Sequence, residues 1–272
     1  MATSPKLEAL LAEGGTEACC AALYESPAVR WFLGDELHPG GEVATRRSLG
    51  LIELRPGERL LDVGAGTGSS ALLAARGFGC LVVGLDYGTD AVRRARQAAD
   101  AAGLCDRVAF VVGDAGALPF ADDEFDALLC ECSLSTFPDK ARAVSEMRRV
   151  LRPGGRVAIS DVVADPARLP EPLSGTIATL ACVGGALPLE AYERLLAERR
   201  LRTFAVESLD DQAARLAQRI EDRLRAGRLL ERCRGSEWGP FGFEEAIEAV
   251  RLARRAIDQG VLGYAILAAT AS

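Results

Sequence analysis

Residues 59–73 read RLLDVGAGTGSSALL, and this stretch decides the fold. Leu60, Leu61 and Val63 predict a short buried strand, and the glycines that alternate after it predict a tight turn. The residues from Ser69 onward predict a helix that begins where the turn ends. Such a strand, glycine turn and helix N-terminus bring bare backbone N–H groups up against a ligand. The stretch therefore predicts a ligand site at the carboxyl end of the first strand.

Asp86 follows a second predicted strand, Cys80–Leu85. A carboxylate in that place can accept hydrogen bonds from both ribose hydroxyls, which predicts a site for an adenosine-type cofactor. The glycines are spaced G-x-G-x-G, whereas NAD sites usually space them G-x-G-x-x-G, and Ser69 stands where the third glycine of an NAD site would be. The spacing therefore disfavours a dehydrogenase.

Three further strands continue the pattern. Arg107–Val112 leads to Asp114, whose carboxylate can accept a hydrogen bond from an adenine amino group. Phe125–Glu131 is the next strand, and Arg156–Asp161 follows the helix end and turn at Val150–Gly155. Strands that alternate with helices in this way predict a parallel sheet with helices on both faces.

These motifs, taken in order, resemble the class I S-adenosylmethionine-dependent methyltransferases over roughly residues 40–165. The resemblance implies a Rossmann-like, doubly wound α/β fold with a seven-stranded, mostly parallel sheet. It also implies that the last strand, Val261–Thr270, inserts antiparallel beside the fifth. S-adenosylmethionine is the implied cofactor. The residues expected to bind it are Thr45, Asp62, Gly64, Ala65, Gly66, Gly68, Asp86, Tyr87, Asp114, Ala115 and Glu131.

Four parts of the chain are expected from the patterning: a helical N-terminal lid at 1–51, a methyltransferase core at 52–209, a helical insertion at 210–258 and a closing strand at 259–272. In a methyltransferase, the glycine-rich loop at 34–41 commonly folds over the methionine end of the cofactor. Within the core, Ser174–Ala186 is expected to be helical.

Composition narrows the class of protein. The 272 residues carry a formal net charge of −7, which argues against a nucleic-acid partner. No apolar run reaches the roughly 20 residues that a membrane span needs. The eight cysteines fit neither a secreted disulfide framework nor a C-x-x-C zinc site, so we expect a cytoplasmic, reduced protein with no bound metal. A monomer and a homodimer both remain open.

The cysteines point to a closer resemblance. The run CECSLSTFPDK at 130–140 and the run LACVGGAL at 180–187 are similar to segments of the arsenite methyltransferases. Cys132 falls on a cysteine of that family and Glu131 on an asparagine, while Cys182 falls on an arsenic-binding cysteine. Cys19 and Cys20 are candidates for the family's upstream cysteines. Cys80 and Cys105 are interpreted as small buried core residues.

Other acceptors stay open. The family's last substrate cysteine has only Cys233 as a positional counterpart, and the 210–258 insertion does not match that family's C-terminal part. The ubiquinone/menaquinone C-methyltransferases share the core motifs and need no cysteines. His38, the single histidine, is a possible general base for an organic acceptor. A third interpretation is a noncatalytic regulator that binds the cofactor or a metalloid.

Overall fold

The computed structural model describes residues 38–170, 173, 182–234 and 243–272, with the backbone alone for 229–234. In these residues seven strands form one sheet in the order β3-β2-β1-β4-β5-β7-β6. Only β7 runs antiparallel to its neighbours, β5 and β6. The predicted seven-stranded, mostly parallel sheet is confirmed. The strands are β1 Arg59–Val63, β2 Leu81–Asp86, β3 Val108–Val112, β4 Phe125–Glu131, β5 Leu151–Ala164, β6 Leu201–Ser208 and β7 Leu262–Ala271.

Seven α-helices lie in the same described residues, together with a 3-10 turn at Leu134–Thr136. Helices α1, α2 and α3 cover one face of the sheet, and α4 and α5 cover the other. The doubly wound arrangement therefore has a core on each side. The helices are α1 Gly41–Leu51, α2 Ser69–Phe78, α3 Thr89–Ala102, α4 Lys140–Val150, α5 Leu189–Ala197, α6 Asp210–Arg234 and α7 Phe243–Asp258.

The central strands are apolar on both sides because helices cover both faces. In β1, Leu60 packs in the core beneath α1–α3, whereas Leu61 and Val63 pack in the core beneath α4 and α5. All three side chains are fully buried. Asp62 lies between Leu61 and Val63 at the carboxyl end of β1, where open α/β sheets bind their ligands.

Two local expectations need correction. Residues 182–186 form a turn and not a helix, while 174–181 lie outside the described residues. Cys105 is exposed and its thiol donates a hydrogen bond to Asp100, so it is not a core residue. It stands in the loop that follows α3, beyond the reach of the apolar core.

The two helices of the insertion are joined by apolar contacts of Leu224, Phe243 and Ile247. The buried Glu221 carboxylate of α6 also accepts hydrogen bonds from Arg251 and Arg254 of α7. Helix α7 packs on the carboxyl end of β5 and on the loop that contains Cys182. No helix in the described part of the chain has the length and apolarity of a membrane span. The division at 51, 209 and 258 stays a prediction.

Candidate functional site

The glycine turn is fastened to the end of β2. The backbone N–H groups of Gly64 and Ala65 both donate to the carbonyl of Leu85, at 2.8 and 3.0 Å. The Gly68 N–H donates to the Ala65 carbonyl at 2.9 Å, which closes the turn before α2 begins. The turn and the end of β2 therefore form one continuous surface at the carboxyl edge of the sheet.

Gly68 precedes the first residue of α2 and has a φ of 85°, in the left-handed region. A Cβ atom at this position would lie 2.5 Å from the ring of Phe110 in β3. Conformation and space both require glycine here. The close approach lets α2 begin directly above the strands, with its N-terminus over the predicted ligand site.

Asp86 ends β2 with its carboxylate directed at the glycine turn. Its Oδ2 accepts a hydrogen bond from the Gly66 N–H at 2.7 Å, and its Oδ1 accepts one from the Gly88 N–H at 2.8 Å. Burial raises the pKa of Asp86, while these two hydrogen bonds act in the opposite direction. A carboxylate has about four lone-pair positions, so both oxygens can accept further hydrogen bonds.

Three neighbouring residues that the sequence predicted have different surroundings. Tyr87 is 47% exposed, so its ring is available to contact a ligand. Asp114 is exposed, and its Oδ1 accepts a hydrogen bond from the Gly116 N–H at 2.7 Å, which forms a local turn. Ala115 is buried in the core beneath α4 and α5.

Asp62 is 2% exposed, and among the described residues nothing donates a hydrogen bond to its Oδ2. Burial raises the pKa of Asp62 well above its usual range, and the negative charges of Glu131 and Asp86 raise it further. Buried polar atoms are nearly always hydrogen-bonded. An orphan carboxylate oxygen at a strand end fits a ligand group that carries N–H donors or positive charge.

Glu131, at the end of β4, joins α1 to α2 through hydrogen bonds. Its Oε2 accepts hydrogen bonds from the Thr45 hydroxyl of α1 at 2.9 Å and the Ser70 hydroxyl of α2 at 2.7 Å. The Nε2 of His38 lies 3.7 Å from the same oxygen. The Ser160 hydroxyl donates to Oε1 at 3.4 Å. The structure thus brings together the predicted residues Thr45, His38 and Glu131.

Ser70 and Ser160 were not predicted. Ser70 is the second residue of α2, and side chains in a helix tilt toward its N-terminus, so this hydroxyl points back to the strand ends. That signal was readable in the sequence. Ser160 lies in the middle of the apolar pattern of β5, and no local signal marks it.

The predicted cysteines Cys132 and Cys182 lie against each other, with their sulfur atoms 3.7 Å apart. Cys132 follows β4 directly, and its N–H donates to the Ser160 carbonyl at 2.7 Å. Cys182 is 1% exposed and lies on the loop before α5. Cys19 and Cys20, like the side chain of Cys233, lie outside the described residues.

Close packing at Gly185 holds the Cys182 loop on the sheet edge. A Cβ atom at Gly185 would lie 2.0 Å from the Ser135 carbonyl oxygen, so only glycine allows this approach. The Ser135 N–H donates to Asp161 Oδ2 at 2.8 Å, and the Val162 N–H donates to Oδ1 at 2.7 Å. Asp161 therefore fixes the 3-10 turn against which the Cys182 loop packs.

Asp161 is completely buried, and burial raises its pKa to about 6, although hydrogen bonds from Ser135 and Val162 and the charge of Lys140 oppose the rise. In the unfolded chain an aspartate ionises near pH 4. Between these values the folded protein holds a proton that the unfolded chain has lost, so ionisation of Asp161 costs stability as pH rises from about 4 to 6 and above.

We predict that the unfolding free energy of the wild type, relative to Asp161→Asn, falls by about 2–3 kcal/mol between pH 4 and pH 7. The neutral amide does not titrate, so the difference isolates the carboxyl group. Urea unfolding of both proteins across this range gives the measurement, and Asp106→Asn, at an exposed site, is the matched control. A difference that stays constant with pH contradicts the prediction.

A family model described as a methyltransferase domain matches residues 54–205, which is more than half of the chain. The 27-O-demethylrifamycin SV methyltransferase of Amycolatopsis mediterranei is 33% identical over 197 residues, covering 65% of this chain and 70% of the relative. The arsenite methyltransferase of Halobacterium salinarum is 31% identical over 225 residues, covering 77% of this chain and 56% of the relative. Across the first three curated relatives, the match spans 46% to 70% of their lengths.

The crystal structure of the cyclase SpnF superposes with a TM-score of 0.76 at 26% identity, covering 92% of this chain and 95% of SpnF. The seven-stranded sheet, the antiparallel β7 and the glycine turn beside Asp86 agree with the fold that the sequence resemblance implied. The chain therefore belongs to the class I, S-adenosylmethionine-dependent methyltransferase family.

Proposed function

We propose that this protein transfers a methyl group from S-adenosylmethionine to trivalent arsenic held by the thiols of Cys132 and Cys182. The observation that carries the proposal is the 3.7 Å separation of the two sulfur atoms at the carboxyl edge of the sheet. Trivalent arsenic is soft and prefers thiolate ligands. The similarity to the arsenite methyltransferase of H. salinarum supports the same class of acceptor.

S-adenosylmethionine supplies a methyl group on a positively charged sulfonium. In this proposal the Asp86 carboxylate accepts hydrogen bonds from the ribose hydroxyls, and the exposed ring of Tyr87 contacts the adenine. The backbone of 64–68 approaches the methionine part. The orphan oxygen of Asp62 fits the ammonium group there, because that group offers both a positive charge and N–H donors.

Backbone strain at the two cysteines supports a functional role. Cys132 has a φ of 50° and Cys182 a φ of 62°. Five non-glycine residues in the described part of the chain have left-handed φ values, and the touching cysteines are two of the five. Such a conformation costs on the order of 1–3 kcal/mol at each residue and tends to occur at functional sites.

The protonation of Cys132 fits arsenic binding without a general base. The hydrogen bond to Cys182, burial, and the negative charges of Asp161 and Glu131 raise the pKa of Cys132 well above its usual range. When a thiol displaces a hydroxyl from As(OH)₃, the thiol proton leaves with that hydroxyl as water, and one As–S bond replaces one As–O bond. Arsenic keeps its lone pair, which is the nucleophile for the methyl group.

The raised pKa of Cys132 also favours a role for this thiol as an arsenic ligand and not as the methyl acceptor. A thiolate is the nucleophilic form of cysteine, and a protonated thiol reacts slowly. With the pKa of Cys132 raised, the free thiol is a poor acceptor of the methyl group. Cys182 belongs to a buried apolar cluster with Val183 and Ala256, and Cys132 packs against that cluster, which limits the access of water to As–S bonds.

An organic hydroxyl is the second candidate acceptor, and the surroundings of His38 favour it. His38 is 8% exposed, and its Nδ1 lies 3.3 Å from the Pro39 carbonyl, to which it can donate. In that tautomer Nε2 carries the lone pair, and it lies 3.7 Å from Glu131 Oε2. A base so oriented can take a proton from a hydroxyl. The similarity to the rifamycin O-methyltransferase supports this class.

We predict that Asp86→Ala weakens S-adenosylmethionine binding by about 1.5–3 kcal/mol, because hydrogen bonds to a charged group are lost. Isothermal titration calorimetry gives the affinity, and circular dichroism checks that the protein is folded. Asp90→Ala is the control, since Asp90 pairs with Arg93 and Arg94 on the surface of α3. Equal S-adenosylmethionine affinities of the wild type and Asp86→Ala would contradict the assignment of Asp86 to the cofactor site.

We predict that the wild type binds one trivalent arsenic with loss of two titratable thiols, and that Cys182→Ser abolishes this binding. Serine is a harder ligand of similar size, so S-adenosylmethionine affinity should change by less than about twofold. Cys105→Ser, at the exposed cysteine, is the control. If Cys182 is only structural, the substitution lowers the melting temperature and leaves arsenite binding intact. A wild type without arsenite binding removes the metalloid proposal.

We predict that His38→Ala lowers the single-turnover rate on arsenite by less than about threefold at saturating cofactor, whereas loss of a general base costs about 10²–10⁴-fold. The measurement is radiolabelled methyl transfer to arsenite in the presence of thiol. Transfer to a hydroxyl compound that drops at least a hundredfold in His38→Ala and recovers with imidazole would instead establish the second candidate. Cofactor binding without turnover of any acceptor would favour the third interpretation, a noncatalytic regulator.

A further inference from the structure

Tyr264 of β7 is a tyrosine in a mostly apolar strand, and its side chain is 1% exposed. A buried tyrosine hydroxyl usually has a hydrogen-bond partner. Tyr264 pairs with Val162 of β5, and Ile266 pairs with Ser160. Tyr264 is therefore the diagonal neighbour of Ser160 on one face of the sheet, at a separation that a long side chain can span.

The Tyr264 hydroxyl contacts both polar groups of Ser160. It donates to the Ser160 carbonyl at 3.2 Å and lies 3.1 Å from the Ser160 hydroxyl. The same carbonyl accepts the Cys132 N–H at 2.7 Å, and the Ser160 hydroxyl donates to Glu131 Oε1 at 3.4 Å. Ser160 therefore links Tyr264 to two consecutive residues at the end of β4.

The directions of these hydrogen bonds are mutually consistent. A hydroxyl has one proton and two lone pairs, so a Ser160 hydroxyl that donates to Glu131 can only accept from Tyr264. Burial raises the pKa of Tyr264 well above its usual range, and negative charge at Cys132 or Glu131 raises it further. The phenol therefore keeps the proton that it donates to Ser160.

Cys132 is the residue whose conformation depends on these contacts. Its φ of 50° is left-handed, a conformation that costs free energy and persists where the surroundings impose it. The Cys132 N–H bonds to Ser160, and the Cys132 carbonyl accepts a hydrogen bond from the Cys182 thiol at 3.6 Å. Tyr264 and Cys182 belong to one apolar cluster, against which Cys132 packs. Contacts on both sides of Cys132 thus set the two sulfur atoms against each other.

We propose that Tyr264 is a positioning residue for the arsenic site: its hydroxyl, acting through Ser160, holds Cys132 in the conformation in which its sulfur atom faces Cys182. The inference rests on the proposed binding of trivalent arsenic by these two thiols. One arsenic atom can bond to both sulfur atoms only if they lie close together, and thiols that must first be ordered bind more weakly. In this role Tyr264 need not contact the arsenic.

Tyr264→Phe tests the proposal, because phenylalanine keeps the buried ring and removes the hydroxyl. Both proteins are titrated with arsenite by isothermal titration calorimetry, and free thiols are counted before and after. The variant should bind arsenite about three- to tenfold more weakly, which is the loss expected for one neutral hydrogen bond, and should still lose two titratable thiols. Its affinity for S-adenosylmethionine should change by less than about twofold.

Tyr192→Phe is the matched control. Tyr192 is also 1% exposed, and its hydroxyl donates at 3.2 Å to the carbonyl of Val162, two residues farther along β5 than Ser160. Both substitutions should lower the melting temperature, because each removes a buried hydrogen bond. Only Tyr264→Phe should weaken arsenite binding, so the comparison separates positioning of Cys132 from general stability.

Ser160→Ala tests the route through Ser160. It removes the hydroxyl between Tyr264 and Glu131 but keeps the carbonyl that accepts the Cys132 N–H, so arsenite affinity should fall about two- to threefold. The double variant Tyr264→Phe/Ser160→Ala should bind arsenite no more weakly than Tyr264→Phe alone, because groups in one hydrogen-bond network are coupled.

Three results overturn the proposal. The first is equal arsenite affinity of the wild type and Tyr264→Phe. The second is a Tyr192→Phe protein that loses as much arsenite affinity as Tyr264→Phe, and the third is a double variant in which the two separate losses multiply. Should Tyr264→Phe fail to fold, an unchanged arsenite affinity in Ser160→Ala overturns the proposal instead. A wild type that binds no arsenite is a different result, since it removes the proposed function and this inference with it.

Discussion

The hydrogen bond from the Cys132 N–H to the Ser160 carbonyl extends the pairing of β4 with β5 one residue beyond the end of β4. The adjacent residues Glu131 and Cys132 consequently contact different groups. Glu131 accepts hydrogen bonds from Thr45 of α1 and Ser70 of α2, while Cys132 contacts Cys182. The end of β4 thus contributes both to the hydrogen bonds around Glu131 and to the cysteine pair. The chain changes direction between the two at Cys132, which has a left-handed φ.

Burying charge at this edge requires compensation, and the fold provides it from backbone and hydroxyl groups more than from cations. Asp86 is held by two N–H groups of the glycine turn and the loop after β2, and Asp161 by two N–H groups of its own surroundings. Glu131 relies on hydroxyls from three different elements. Hydrogen bonds to charged groups are the stronger kind, at about 1.5–3 kcal/mol each. Asp62 differs, because its Oδ2 has no such partner among the described residues.

The thiol pair depends on segments far apart in the chain. Cys132 is placed by β4, but Cys182 is placed by packing of Gly185 on the Ser135 carbonyl and by the apolar contacts of α7. Helices α6 and α7 therefore take part in forming the surroundings of the two cysteines, and they are also the region that departs from the arsenite methyltransferase pattern. A different insertion would surround the same two sulfur atoms differently, which explains how one core can accept different substrates.

The sequence by itself determined the order of strands and helices, the glycine turn at 64–68 and the carboxylate at Asp86, because each depends on short-range patterns of apolar residues, glycines and strand ends. It also marked Cys132 and Cys182 through a family resemblance. Only the tertiary structure decided that the two sulfur atoms touch and that Ser70 and Ser160 complete the surroundings of Glu131. It likewise decided that residues 182–186 form a turn. These features arise from contacts between residues 29 to 61 positions apart, as for Ser160 and Ser70 with Glu131, or 50 apart for the cysteines. No local propensity encodes them, since packing across the sheet edge sets those distances.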